Sequence, residues 1–481
     1  MSAKKGKCNL YRTHTKPRIG LMAVGLGTYW PQFPRMKEGV LKAHSRLAKL
    51  FEGHGQLVGA GLVDSAATAR KAGDLFVSSQ VDIVFCHLTT YANSETLVPA
   101  VANLDVPIVL LNVQPVTALE MEKVTTISDW LGVACTCAGL PEMTAVLVRL
   151  GKRFAIATGH LENDEILDGQ IRLWCSIAAL RRRLTTQSIA LLGRPFAGML
   201  DLNLDETHLF KRFGTFVHHL DWDNVIAEFP NVTDADLRSV IARLNELFFY
   251  PSPLSKSEIT DIATVCSAFF RFVDRYNLCA VVSHYEGASE GKRAKLLAAL
   301  NPALSLLMAD GIACPVEGDI KAGLAMIILK SISGAATLAE LYSMDFNDDI
   351  CIIGHSGAGD PAISSKKPSL SASEVFHGKS GKGYLTQFFP RIGEATLFAV
   401  TQDGGGEYRM IAAEGELEDG PTLGLGDTNC RVRFSCGLRE FIELWSSYGP
   451  THHGVLGYGR QIDSLRRVST ALNIPLEVIC R

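Results

Sequence analysis

Pro17-Arg18-Ile19-Gly20-Leu21-Met22-Ala23-Val24-Gly25-Leu26-Gly27-Thr28-Tyr29-Trp30, PRIGLMAVGLGTYW, is a short apolar run closed by a glycine-rich turn. It reads as a buried β-strand, and the segment after it, MKEGVLKAHSRLAKLFEGHG (36–55), carries helical periodicity. The unit then repeats. QLVGAGLV (56–63), DIVFCHL (82–88), PIVLLNV (107–113) and FAIATG (154–159) alternate with helical stretches such as ATARKAGDLFVSS (67–79) and SETLVPAVANL (94–104). Strands that are apolar throughout and alternate with helices predict a doubly wound parallel sheet covered on both faces. The GLG turn does not make a dinucleotide site, because G-x-G-x-x-G needs glycine at position 30 and this chain has Trp30. Ligands of such a sheet lie beyond the carboxyl ends of its strands, which places Tyr29 and Trp30 as candidate substrate contacts.

Working outward, the helix after FAIATG runs into SIALLGR and a second α/β region that contains the helix EITDIATVCSAFFRFVDRYN (258–277) and the strand CAVVSHYEG (279–287). Beyond about residue 335 the texture changes to short β-like runs separated by Gly, Asp and Asn turns. TLFAVTQDGGGEYRMIAAEGEL (396–417) reads as a hairpin, and KKPSLSAS (366–373) as the most loop-like segment. The expected organisation is two doubly wound, Rossmann-like α/β domains, 1–180 and 181–335, followed by a mainly β, barrel-like domain, 336–481. At 481 residues the chain is too long for one ordinary core, and about 150 residues per domain gives roughly three.

The 47 basic and 50 acidic side chains nearly cancel, and no basic block exists that would track phosphates, so nucleic acid is not an expected partner. No window approaches the roughly 18 uninterrupted apolar residues of a spanning helix. The basic N-terminal run MSAKKGKCNLYRTHTKPR lacks the apolar core of a secretory signal. The twelve cysteines are scattered, many of them inside apolar runs, and are expected as reduced thiols of a cytoplasmic protein.

Cys314-Pro315-Val316-Glu317-Gly318-Asp319-Ile320-Lys321-Ala322-Gly323 sets two carboxylates around a glycine at the start of a nearly uncharged helix, IKAGLAMIILKSIS. Asp319 suits a helix cap. A helix apolar on every side is buried, so a carboxylate at its mouth needs a partner. Candidates follow in order: Glu340 in ATLAELYSMDF, His355 at the end of DICIIGH, and His452 and His453 in the turn YGPTHHG. Two carboxylates and two imidazoles form a ligand set for a divalent cation that retains open positions, with Mn²⁺, Co²⁺, Fe²⁺ or Zn²⁺ admissible.

EGDIKAGLAMIILKSISG, AELYSMDF, IIGHS and THHG, in this order, together with ATGH (157–160) and the Phe213 to Phe216 stretch, resemble the L-arabinose isomerase branch of the L-arabinose/L-fucose isomerase superfamily. The resemblance implies metal ligation by Glu317, Glu340, His355 and His453, with Mn²⁺ the leading cation. It further implies Glu317 and Glu340 as the acid/base pair, Tyr342 as a substrate contact, and trimers or hexamers of a cytoplasmic enzyme. The implied reaction interconverts an aldose and a ketose through an ene-diol, moving a proton between C1 and C2. Two departures concern the sugar: Gly27-Thr28-Tyr29-Trp30 stands where the family has Gln-His-Leu-Tyr, and Cys137-Ala138-Gly139-Leu140 falls opposite an Ala-His-Gly-Gly segment. A substrate other than L-arabinose is therefore expected. The competing readings are a metal-dependent sugar epimerase or lyase, and a non-catalytic sugar-binding regulatory protein on the same scaffold.

Overall fold

The computed structural model describes residues 16–133, 135–284, 290–374 and 382–481. The basic run before residue 16 and the end of CAVVSHYEG lie outside them. The described chain divides into two compact units, one of residues 16–182 with 466–473 and the other of residues 183–465 with 474–481.

The first unit is built on five parallel strands: β1 (Arg18–Val24), β2 (Gln56–Val63), β3 (Ile83–Leu88), β4 (Ile108–Gln114) and β5 (Phe154–His160), in the order β2-β1-β3-β4-β5. The quoted first strand is the one about which the order reverses. Its apolar residues explain the central position, since Ile19 and Met22 to Val24 have no measurable exposure.

The second unit opens with three parallel strands, β6 (Ser188–Leu192), β7 (Val217–Leu220) and β8 (Leu278–Ser283), in the order β7-β6-β8. It continues through β9 (Thr337–Asp345), β10 (Ile350–His355), β11 (Ser369–Glu374), β12 (Lys382–Gln387), β13 (Gly393–Gln402), β14 (Tyr408–Glu418), β15 (Thr428–Phe434), β16 (Gly454–Tyr458) and β17 (Leu476–Val478). Seven of these form a sheet ordered β13-β16-β9-β10-β15-β14-β17, and β13 pairs with β14 as well, so the ladder of six antiparallel strands returns on itself. The predicted hairpin is β13 and β14, with Gln402 opposite Tyr408. KKPSLSAS is not a loop: its last residues form β11, which gains a full antiparallel ladder with β12 that its Ser-rich composition does not advertise. The expectation of reduced thiols also needs correction, because Cys436 and Cys480 form a disulfide, while the other nine cysteines among the described residues are free.

The helix Ile320–Ser333 is the hub of this unit. Every residue from Ile320 to Leu329 is buried, including Lys321. It packs on β8 of the parallel sheet and on β13 and β16 of the antiparallel one. An all-round apolar sequence is what a helix enclosed between two sheets requires. Ile328→Ala, at a fully buried position, is expected to cost about 2–5 kcal/mol through lost transfer energy and an unfilled cavity. A urea midpoint for this unit equal to that of the wild type would contradict the packing.

Candidate metal centre

Glu317 precedes the buried helix in an unusual backbone state, with φ +63°, and Gly318 follows at φ +83°. A non-glycine residue in the left-handed region is held there by its surroundings. Here the Glu317 carbonyl accepts from Phe196 N–H at 3.0 Å and Gly318 N–H donates to Ser283 at 3.2 Å. Position 318 admits no side chain, since a Cβ would lie 2.4 Å from Pro195 Cα. The two constraints fix the backbone that carries the Glu317 carboxylate.

Three neighbouring strands supply the other groups. β9 lies between β10 and β16 in the sheet, with Glu340 opposite Gly354 and Ala339 opposite Gly454. That register brings Glu340, His355 at the end of β10 and His453 just ahead of β16 to one edge. Glu317, Glu340, His452 and His453 each present a ligand atom, all within 4.8 Å of one another. His453 Nε2 is 3.7 Å from Glu317 Oε2 and 3.6 Å from Glu340 Oε1, and His452 Nε2 is 3.4 and 3.6 Å from the same two oxygens. Atoms that each sit about 2.1 Å from one ion are separated by about 3–4 Å, so this spacing suits a single cation.

The tautomer of His453 is decided by Asp319. Asp319 caps the helix by accepting from Ala322 N–H at 2.9 Å through Oδ1, and its Oδ2 lies 3.1 Å from His453 Nδ1. A carboxylate only accepts, so Nδ1 bears a proton, and Nε2 is the nitrogen that can offer a lone pair to a ligand. Both residues are buried, and His453 Nε2 has no hydrogen-bond partner. A buried imidazole nitrogen without a partner, aimed at two carboxylates, is the chemistry of an electron-pair donor to a metal. The cap expected at Asp319 is thus real and also serves as the orienting group of the site.

His355 is buried beside the cluster, its ring 5.3 Å from that of His453. Its Nδ1 donates to the Ser356 carbonyl at 2.7 Å, which leaves Nε2 as the lone-pair nitrogen. It is not one of the four residues that share the 4.8 Å group, whereas His452 is. Burial, then His453, lowers the His355 pKa, so the neutral form is favoured. Glu317 is pushed up by burial, but the hydrogen bond from His452 and the neighbouring imidazoles outweigh that and hold it below the usual carboxylate range. His452, bonded to Glu317 and Asp201, is pushed up to about 9.

Tyr342, two residues after Glu340, donates its hydroxyl to Asp427 Oδ2 at 3.2 Å, and Ser356 donates to the same oxygen at 2.7 Å. Burial raises its pKa, so the phenol stays protonated. A cavity of about 540 Å³ opens at the cluster, lined by Asp201, Glu340, Leu341, Trp445, Pro450 and His452 among others. Tyr29 and Trp30 belong to the first unit. Trp30 Nε1 donates to Asp64 at 2.8 Å, and both rings pack against Met36, Val40, Leu131 and Cys135.

Sequence reasoning missed Asp201, Lys321 and Asp427 in this region. Lys321, buried, donates to the carbonyls of Asp201 at 2.5 Å and Asn203 at 2.8 Å. The signal for Lys321 was present, as a lysine in a helix with no wet face must reach a partner. Asp201 and Asp427 have no local signature.

Comparison with known proteins finds sugar isomerases. Residues 335–475 match the L-arabinose isomerase C-terminal domain. The chain is 23% identical over 408 residues to an L-arabinose isomerase of Nocardioides sp., covering 82% of this chain and 78% of that protein. It is 22% identical over 414 residues to a sulfoquinovose isomerase of Alkalicoccus urumqiensis, covering 83% and 86%. A sulfoquinovose isomerase of Priestia aryabhattai is 28% identical over 177 residues, 36% of this chain and 39% of that one. Fold, carboxylate–imidazole cluster and relatives together define an isomerase. The chain is an L-arabinose isomerase-like member of the L-arabinose/L-fucose isomerase superfamily.

Asp319→Asn keeps an oxygen for the cap but offers an amide N–H to His453 Nδ1, which drives the imidazole proton onto Nε2. The expected result is a fold of near-normal stability with divalent-metal affinity reduced roughly 10–100-fold, read by titration calorimetry. Unchanged affinity would refute the orienting role.

Proposed function

We propose that this protein is a metal-dependent aldose–ketose isomerase working by ene-diol proton transfer between C1 and C2, with Mn²⁺ as its cation and a sugar other than L-arabinose as its substrate. The observation that carries the reading is the lone-pair nitrogen of His453, buried without a partner and 3.7 and 3.6 Å from the two half-buried glutamates. Glu317, Glu340, His355 and His453 would hold the cation, and at that position it would polarise the sugar carbonyl and keep the two substrate oxygens together.

The remaining chemistry belongs to the chain. Glu317 and Glu340 are the acid/base pair: a carboxylate takes the proton from C2 of the aldose and returns it to C1 of the ene-diol, giving the ketose. Tyr342, kept protonated and fixed through Asp427, offers a phenol rather than a charge to the sugar. Tyr29 and Trp30 are taken as substrate contacts because an aromatic ring suits the apolar face of a sugar. Because relatives include sulfoquinovose isomerases as well as L-arabinose isomerases, a charged hexose is a substrate class to test first. The same reading takes the chain as a cytoplasmic trimer or hexamer, divided 1–180, 181–335 and 336–481 with the last domain barrel-like. Among the described residues no helix is long and apolar enough to cross a membrane.

The test is turnover of L-arabinose, sulfoquinovose and a panel of other aldoses by protein treated with EDTA and then reloaded with Mn²⁺. Activity that EDTA removes and Mn²⁺ restores is expected, with Glu317→Gln at least about 100-fold slower. Near-normal turnover by that variant would sink the acid/base assignment, and binding of sugars without conversion would sink the enzyme reading.

A further inference from the structure

Asp427 lies just ahead of β15 and is buried. The side chains that reach its carboxylate are neutral: the hydroxyls of Tyr342 and Ser356 donate to Oδ2 at 3.2 and 2.7 Å, and Asn429 Nδ2 donates to Oδ1 at 3.2 Å. A buried charge met by neutral donors adds little to stability compared with apolar groups of the same shape, so what it holds in place gives it its meaning.

Strand register explains how one oxygen reaches both hydroxyls. β10 and β15 run antiparallel and their ladder ends with His355 opposite Thr428, so Ser356 and Asp427 come next in line. On the other flank of β10, Leu341 of β9 stands opposite Ile353 and Ser343 opposite Ile352, which leaves Tyr342 as the extra residue of a bulge. A bulge re-aims a side chain beside a site. Asp427 Oδ2 thus ties the bulge of β9 to the end of β10, the two strands that carry Glu340 and His355.

Each tie has its own consequence. The Ser356 carbonyl is the group that accepts from His355 Nδ1 at 2.7 Å, so anchoring the Ser356 side chain anchors the peptide that orients the His355 ring. Tyr342 commits its only hydroxyl hydrogen to Asp427, so toward any further partner its oxygen accepts.

We propose that Asp427 is a positioning residue of this site, which holds the His355 ring through Ser356 and fixes Tyr342 as a hydrogen-bond acceptor for a sugar hydroxyl. This rests on the metal-dependent isomerase reading above and narrows its substrate. The sugar group at Tyr342 is a hydroxyl that donates; a sulfonate or carboxylate, which only accepts, does not suit that position, and a charged hexose places its anionic group elsewhere.

The experiment compares full-length wild type with Asp427→Ala, Asp427→Asn, Ser356→Ala and Tyr342→Phe. Each is titrated with Mn²⁺ by calorimetry, and kcat and KM are measured with L-arabinose and sulfoquinovose. Asp427→Ala and Ser356→Ala are each expected to weaken Mn²⁺ binding about 10-fold. Asp427→Asn is expected to recover most of that loss, because its amide oxygen can replace Oδ2 while Asn429 Nδ2 keeps the carbonyls of Leu423 and Asp427. Tyr342→Phe is expected to raise KM more than it lowers kcat and to leave Mn²⁺ affinity within about twofold of wild type. Wild-type Mn²⁺ affinity in both Asp427→Ala and Ser356→Ala, or an Asp427→Asn no better than Asp427→Ala, would overturn the hold on His355, and an unchanged KM in Tyr342→Phe would overturn the sugar contact. Wild-type protein that binds no Mn²⁺ would overturn the metal-centre reading and this proposal with it. Wild type that binds Mn²⁺ but converts neither sugar, with the affinity losses as expected, would count against the isomerase reading and support the positioning of His355.

Discussion

Asp319 is the constraint on which the second unit's site depends. One oxygen ends the backbone of the hub helix and the other holds the imidazole of His453, so the helix start and the turn before β16 share a single carboxylate. Neither half is expendable. Without the cap the first N–H groups of a buried helix lose their acceptor, and without the imidazole a buried charge loses its partner. The pair is stable because each satisfies the other's need, and the by-product is an imidazole nitrogen with nothing to bond to except a ligand.

Around it the charge balance is lopsided by design of the fold. Glu317, Glu340, Asp201 and Asp319 converge on two histidines, and the buried Lys321 is committed to loop carbonyls rather than to a carboxylate. Such a cluster attracts a cation, and the left-handed backbone at Glu317 keeps one of its carboxylates where a relaxed helix start would not. Rigidity comes from the sheets: β9, β10 and β16 are adjacent, so the positions of Glu340, His355 and His453 follow from strand register rather than from loop conformation.

Much of this was legible in the chain. The alternation of apolar strands with helices specified the parallel sheets, and the unbroken apolar run after Asp319 specified a buried helix, because both patterns are enforced by burial on every face. Glu317, Glu340 and His453 were legible as candidates since acids and imidazoles beside buried elements need partners. The contact of Asp201 with His452 was not, because it arises from a turn brought to that histidine only by tertiary folding. The second duty of Asp319 was hidden for the same reason: a cap looks alike in sequence whether its free oxygen meets water or a histidine. β11 was missed because its ladder with β12, not its own Ser-rich composition, makes it a strand.

The central claim is that the carboxylate–imidazole cluster of the second unit is a catalytic metal centre. Anomalous diffraction from crystals grown with Mn²⁺ tests it most directly. The account predicts one strong peak coordinated by Glu317, Glu340 and His453 Nε2, and its loss in a Glu317→Ala, Glu340→Ala double variant. An active enzyme whose Mn²⁺ lies elsewhere, or whose cluster binds none, would contradict it.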